Sequence, residues 1–429
     1  MADQPAQPPP DGTLNEDVDK IIIASYTCTA AFILSVTFFI QVTRFRLWHS
    51  SWILEKIPQV VDHPVTSLIG ICAASFSVVP YRNDLYWIWL TVLLIAYDNV
   101  LTVSTAGSTL GTSDLLREYI TLFNGVYLGI FINKNNDGEE YHVPLLVLWL
   151  FTLIKFTARL VCHKIMKRTY GLNNSKLIAD YMKIEHKLTK SNEVIDPTNM
   201  KGYKYLVMGE GKINAKITGS NYTPEIELPA GVVTLEKVWS CNEQLLDPSM
   251  DEDNRIRDVC LSFAFFKLLK RQFYGYPAAE AQQEKTRQLV FDGLLSRDND
   301  SVYRVIAMEI GFIRDLLYTR YPVIFAFGFP VFQVILLTGM LGVSLWISVM
   351  AFNRREDPQN SYLRKHHYNI DYTITNALLI VIMVMEAFET LTYVFSDWTK
   401  VLLICRHVRG RVLHHNHFNK VTYLFYICI

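Results

Sequence analysis

The sequence predicts a predominantly α-helical, multi-span membrane protein with about seven transmembrane helices (range 6–8) and a central cytosolic α/β module. Three observations carry this. Several apolar segments are long enough to cross a hydrocarbon core of roughly 30 Å at about 1.5 Å per residue. They lie on either side of a polar region spanning 163–320. Hydrophobic residues make up 50% of the 429-residue chain and charged ones only 19%, less charge than a soluble chain of this size carries.

Residues 1–20 are Pro-rich and acidic (Pro5, Pro8, Pro9, Pro10, Asp11, Glu16, Asp17, Asp19). They lack the basic region of a secretory signal and read as a disordered tail. Residues 21–42 hold no charge and read as the first span, bordered by Arg44, Arg46 and Trp48, a basic and aromatic interfacial edge. Residues 65–80 are shorter and rich in small side chains. Segment 85–103 has Trp87 and Trp89 at one end and Asp98 inside. Segments 119–132 and 143–162 complete a five-span N-terminal bundle over 21–162.

From 163 to 320 charges appear throughout and apolar runs shorten. Residues 203–208 and 231–238 have the β-branched and aromatic content of strands. Residues 255–273, 285–296 and 301–318 read as helices. In the last, Val302, Val305, Ile306, Ile310, Ile313 and Leu317 recur at helical spacing.

The membrane pattern returns over 321–397, with spans near 331–352 and 372–395. Pro322, Gly328 and Pro330 make 321–330 a broken or re-entrant approach. Residues 398–429 read as a basic, His-rich tail of the kind that meets lipid headgroups.

Basic residues collect on the cytoplasmic side of membranes. Arg44, Arg46, Lys56, Lys164, Lys167 and Arg168 against Asp137, Glu139 and Glu140 place the N-terminus outside and the module in the cytosol. The loop with Arg354, Arg355, Arg364 and Lys365 opposes this order. Three glycosylation sequons, at Asn173, Asn221 and Asn299, fall in the module and would stay unmodified in the cytosol.

The formal net charge is zero, which gives no electrostatic basis for binding nucleic acid. Seven scattered cysteines form no CxxC pair and suit reduced, buried thiols. No phosphate-loop, GxSxG, HExxH or kinase pattern is present. The sequence therefore implies neither an enzyme nor a cofactor.

Several strings resemble a plant membrane family, domain of unknown function 4220: Leu206–Glu210 (LVMGE), Val233–Trp239 (VTLEKVW), Cys260–Ala264 (CLSFA) and Leu289–Leu295 (LVFDGLL). Arg304–Ile306 with Glu309, Tyr318–Pro322 (YTRYP), Trp398, Val401 and Cys405–Arg409 (CRHVR) continue the resemblance in the same order. It implies a multi-span plant protein and no activity. Family members often continue into domain of unknown function 594, which the resemblance leaves absent here. They also carry an acidic residue before Arg159, where this chain has Ala158.

Intramembrane charge is costly, about 2.5–3.5 kcal/mol per residue at a helix centre on insertion scales. Asp98, Lys155, Arg159, Glu386 and Glu389 are therefore the candidate site residues. Lys155 and Arg159 share a helix face at i,i+4; Glu386 and Glu389 share one at i,i+3. Two readings follow: structural ion pairs that hold helices together, or an ion, proton or polar-substrate pathway. Lys155 could also snorkel to the interface. His407, His414, His415 and His417, beside Cys405, match no structural zinc spacing. They are weak metal candidates. The expected partners are the bilayer and proteins that bind the module. The leading functional reading is an interaction or regulatory protein of a plant membrane; the alternative is a channel or transporter using the intramembrane Asp, Glu and Lys.

Overall fold

The computed structural model describes residues 11–47, 67, 70, 85–104, 142–165, 173–188, 194–213, 228–229, 231–241, 246, 254–318, 321–326, 331–355 and 362–412. The predicted segments 65–80 and 119–132 lie outside these, apart from Ser67 and Gly70, which are helical. The elements in chain order are α1 (Asp11–Leu47), α2 (Leu85–Ser104), α3 (His142–Ile165), α4 (Asn174–Leu188), β1 (Leu206–Met208), β2 (Val233–Thr234), α5 (Leu235–Trp239), α6 (Arg255–Phe273), α7 (Glu284–Gln288), α8 (Asn299–Tyr318), α9 (Tyr321–Ala326), α10 (Val331–Arg355), α11 (Tyr362–Val394) and α12 (Asp397–Val412). The chain divides into two compact units, one from residues 1–160 with 331–390, the other from 161–330 with 391–429.

In the first unit three helices are long and apolar enough to cross a membrane: Ile21–Ile40, Val331–Asn353 and Ile370–Val394. Their 20, 23 and 25 residues correspond to roughly 30–38 Å of helix. By length and composition this is an integral membrane protein. Shorter apolar helices cover Leu85–Val100 and Val143–Ala158. The helices turn hydrophobic side chains both inward and outward. On α3, Val143, Leu146, Leu150 and Ile154 form one exposed stripe, as suits a lipid-facing surface and no water-facing one.

α2 is buried on nearly every side: its residues from Leu85 to Val100 are buried save Trp87. It is the central helix of this unit. Ala30 and Ala31 of α1 are buried in the same core. Trp89 cannot leave its indole N–H unbonded in an apolar interior, and Nε1 donates to Thr375 Oγ1 of α11 at 2.7 Å. Gly339 of α10 permits a close approach to α3, because a Cβ there would lie 2.5 Å from the Phe151 ring.

In the second unit α6 is the core helix. Its bounds match the predicted 255–273, and α8 begins two residues before its predicted start. Phe263, Phe266, Phe312 and Trp398 form an aromatic cluster with centroids 5.0–5.7 Å apart, edge-to-face except for the tilted Phe263–Phe266 and Phe266–Phe312 pairs. Trp398 Nε1 donates to the Asp315 carboxylate at 3.0 Å.

Several expectations are corrected. Among the described residues the strands are only the antiparallel pair β1–β2. The run predicted as a strand to Val238 turns helical at Leu235, because Leu235 and Val238, three apart, both enter the core. The tight link after β1 rests on Gly209 at φ 102°, where a Cβ would lie 2.8 Å from Gly231 O. The predicted helix 285–296 is α7 followed by a π-helical turn, Leu289–Leu294. Here Gly293 backs onto Pro197 O, leaving no room for a Cβ. α1 starts at Asp11, inside the expected tail. The 321–330 approach contains α9, whose Phe325 packs in the core of this unit against Trp398. The start of the expected C-terminal tail is α12, with Trp398, Val401, Ile404, Cys405 and Val408 buried.

Two outcomes follow. Trp398→Ala removes the centre of the cluster and costs about 3–5 kcal/mol, read by denaturant unfolding of the second unit's signal. Burial pushes Asp315 up to about 7, against the opposing Trp398 hydrogen bond. A carboxyl raised in the folded state binds more protons there than when unfolded. Stability therefore falls as pH rises from about 4 to about 7. Asp315→Asn flattens that slope in thermal unfolding measured across the window.

Candidate functional site

The site lies in the first unit, where three apolar helices each contribute polar side chains. α3 presents Lys155, α11 presents Glu386 and Glu389, and α2 presents Asn99. All are buried, Lys155 at 3% exposure. Lys155 Nζ donates to Glu386 Oε1 at 2.6 Å, to Glu389 Oε2 at 3.1 Å and to Asn99 Oδ1 at 2.6 Å. An ammonium has three protons, and these three acceptors match that number. Lys155 is therefore satisfied inside the bundle and does not snorkel.

Local sequence explains the convergence. The i,i+3 spacing of Glu386 and Glu389 stacks both carboxylates one turn apart on the same face of α11. Lys155 reaches from α3 and bridges them. Asp98, next to Asn99 on α2, is fully buried, and its carboxylate acts electrostatically on the Lys155 ammonium. Four of the five predicted residues thus gather in one place. The Arg159 side chain lies outside the described residues.

Such an arrangement has a definite energetic character. Each charge loses several kcal/mol of hydration on burial, and only close, hydrogen-bonded partners repay it. The intact cluster is near neutral for stability relative to an apolar core of the same volume, whereas a broken one is strongly destabilising. Chemically, it can cross-link α2, α3 and α11, or it can hold a mobile proton or cation among its acidic groups.

His407 is buried in the second unit beside buried Cys405; His414, His415 and His417 lie outside the described residues. Among the described residues no three His, Cys, Asp or Glu side chains come together as metal ligands would.

A family model matches residues 57–426. The chain belongs to the family described as Domain of unknown function (DUF4220). No curated protein matches it, and no solved structure does. The match spans α2 to α12 and so includes every residue of the Lys155 cluster.

Sequence reasoning missed Asn99, although an Asp-Asn pair inside an apolar helix is itself a signal of inward-facing polarity. It also missed the buried charges of the second unit. Asp258 on α6 accepts from Arg297 at 2.8 Å and Arg304 at 2.9 Å. Glu185 pairs with Lys285 at 2.7 Å and accepts from the Lys204 backbone N–H. Arg271 pairs with Glu280. Beside Arg297 a polar cleft of about 250 Å³ is lined by Thr198, Asn254, Gly293, Ser296 and Ser301.

Lys155→Met leaves two buried carboxyl groups without their shared donor and costs about 3–5 kcal/mol. The triple change Lys155→Met, Glu386→Gln, Glu389→Gln recovers much of that loss. Thermal unfolding of the purified protein in one detergent checks both; equal losses in the single and triple variants contradict the pairing.

Proposed function

We propose that this DUF4220 chain is a non-enzymatic, multi-pass plant membrane protein in which the Lys155 cluster clamps transmembrane helices. In this reading the region 163–320 is a cytosolic module that engages protein partners. The single observation behind it is that Lys155 spends its donors on three neighbouring helix side chains. A conducting pathway needs charged groups that meet water or an ion in turn; a clamp needs them to meet one another. The finer architecture is about seven spans, with the N-terminus outside and the module, a helical body with a small ribbon, inside.

A second reading, a proton or cation pathway, draws on one feature of the same cluster. Two carboxyl groups, Glu386 and Glu389, contact one ammonium and a third, Asp98, acts on it electrostatically, an acidic excess among the described side chains that suits a cation. Reconstitution in vesicles with a pH gradient and a cation-sensitive dye decides between them. The clamp predicts flux no greater than in empty vesicles. Flux that disappears in Glu386→Gln, with folding retained, supports the pathway instead. The orientation has its own check: Asn173, Asn221 and Asn299 should remain unglycosylated when the chain is inserted into microsomes, and glycan on Asn299 would reverse the module's placement.

A further inference from the structure

The helix α8 is apolar over a wider arc than its own unit covers. Val302, Val305, Phe312, Ile313 and Leu316 are buried in the core of the second unit. Tyr303, Ile306, Ile310 and Leu317 continue the apolar surface around the helix and are exposed, Tyr303 at 73% and Ile310 at 45%. At 3.6 residues per turn these four fall within an arc of about 60°. Arg314 borders the stripe. A helix presenting this much hydrophobic surface beyond its core contact is made to be covered.

The chain says by what. α8 is separated from the membrane-crossing helix α10 only by α9 and short links. Its C-terminal half is fastened to the buried Trp398 at the start of α12. Phe312 packs on Trp398 with centroids 5.5 Å apart, and Asp315 accepts from the Trp398 indole. Phe325 of α9 stacks on the same Trp398 at 6.2 Å. Tyr321 packs on Tyr393 at 5.0 Å and donates its hydroxyl to Thr392 O at 3.4 Å. Thr392 and Tyr393 belong to the final turns of the Ile370–Val394 crossing segment. The end of α8 is thus fixed to the residues where one crossing segment finishes and, through α9, to the approach to another.

We infer that α8 is an interfacial helix whose Tyr303, Ile306, Ile310 and Leu317 stripe is immersed at the headgroup–acyl boundary of the bilayer. This inference rests on the membrane reading of the chain. Its polar side keeps Arg304 on Asp258, while the stripe removes apolar area from water by entering lipid to a depth of about 5–10 Å.

The wild-type full-length chain in phosphatidylcholine vesicles carrying a lipid-tethered diazirine tests this, with photolabelled residues mapped by mass spectrometry. The expected result is label at Tyr303, Ile306, Ile310 and Leu317 several-fold above that at buried Val305 or at Lys183 of α4, and comparable with Leu345 and Val349 on the exposed apolar face of α10. Label on α10 with none on the stripe overturns the interfacial helix, and shows that water, a second copy or a protein partner covers it. No label on α10 removes the membrane reading and this inference together.

Discussion

A lysine ammonium inside a bundle of apolar helices must bring its counter-ions with it, and this constraint organises the first unit. The donors of Lys155 are fixed in direction by Glu386, Glu389 and Asn99. Three helices must therefore hold one rotation and one depth relative to each other. Dispersion packing alone tolerates sliding, since lipid tails and leucines offer equal company. A buried ion cluster does not, because a displacement of one helical turn strands a charge. The Trp89–Thr375 hydrogen bond adds polar register between α2 and α11, and the close Gly339–Phe151 approach sets α10 against α3.

The second unit answers a related problem with different chemistry. α6 is buried on nearly every side yet carries Arg257, Asp258, Lys267, Lys270 and Arg271. Asp258 meets the guanidinium groups of Arg297 and Arg304, Lys270 donates to the side-chain amide of Asn174, and Arg271 pairs with Glu280. Arg257 donates to the carbonyls of Cys241 and Leu246, and Lys267 to the carbonyl of Val207 and the carboxylate of Glu210. These bonds pair the backbone carbonyls of Val207, Cys241 and Leu246 as they pack against the helix. The aromatic cluster around Trp398 then supplies the apolar centre.

Legibility in the sequence followed the strength of periodicity and the rarity of a residue in its surroundings. Uncharged runs such as 21–42 announced themselves, because length and absence of charge need no tertiary information. Asp98, Lys155, Glu386 and Glu389 were found because charge in such runs is expensive. Which of them would touch was not legible, since it depends on how helices far apart in sequence rotate. Short elements were read poorly. Leu235–Trp239 has β-branched and aromatic content but is helical, since two core positions three apart outweigh propensity. Asp397–Val412 was hidden by its basic residues, though Val401, Ile404, Cys405 and Val408 bury a helical stripe.

The central claim is that Lys155 sits between Glu386 and Glu389 in the folded, membrane-embedded protein. Solid-state NMR on the reconstituted chain, with ¹⁵N-lysine and ¹³C-glutamate, measures this directly. The account predicts a through-space correlation from one lysine Nζ to two glutamate side-chain carboxyl carbons, and its loss in Lys155→Met. A Lys155 Nζ resonance that exchanges rapidly with water and shows no carboxyl correlation would contradict it.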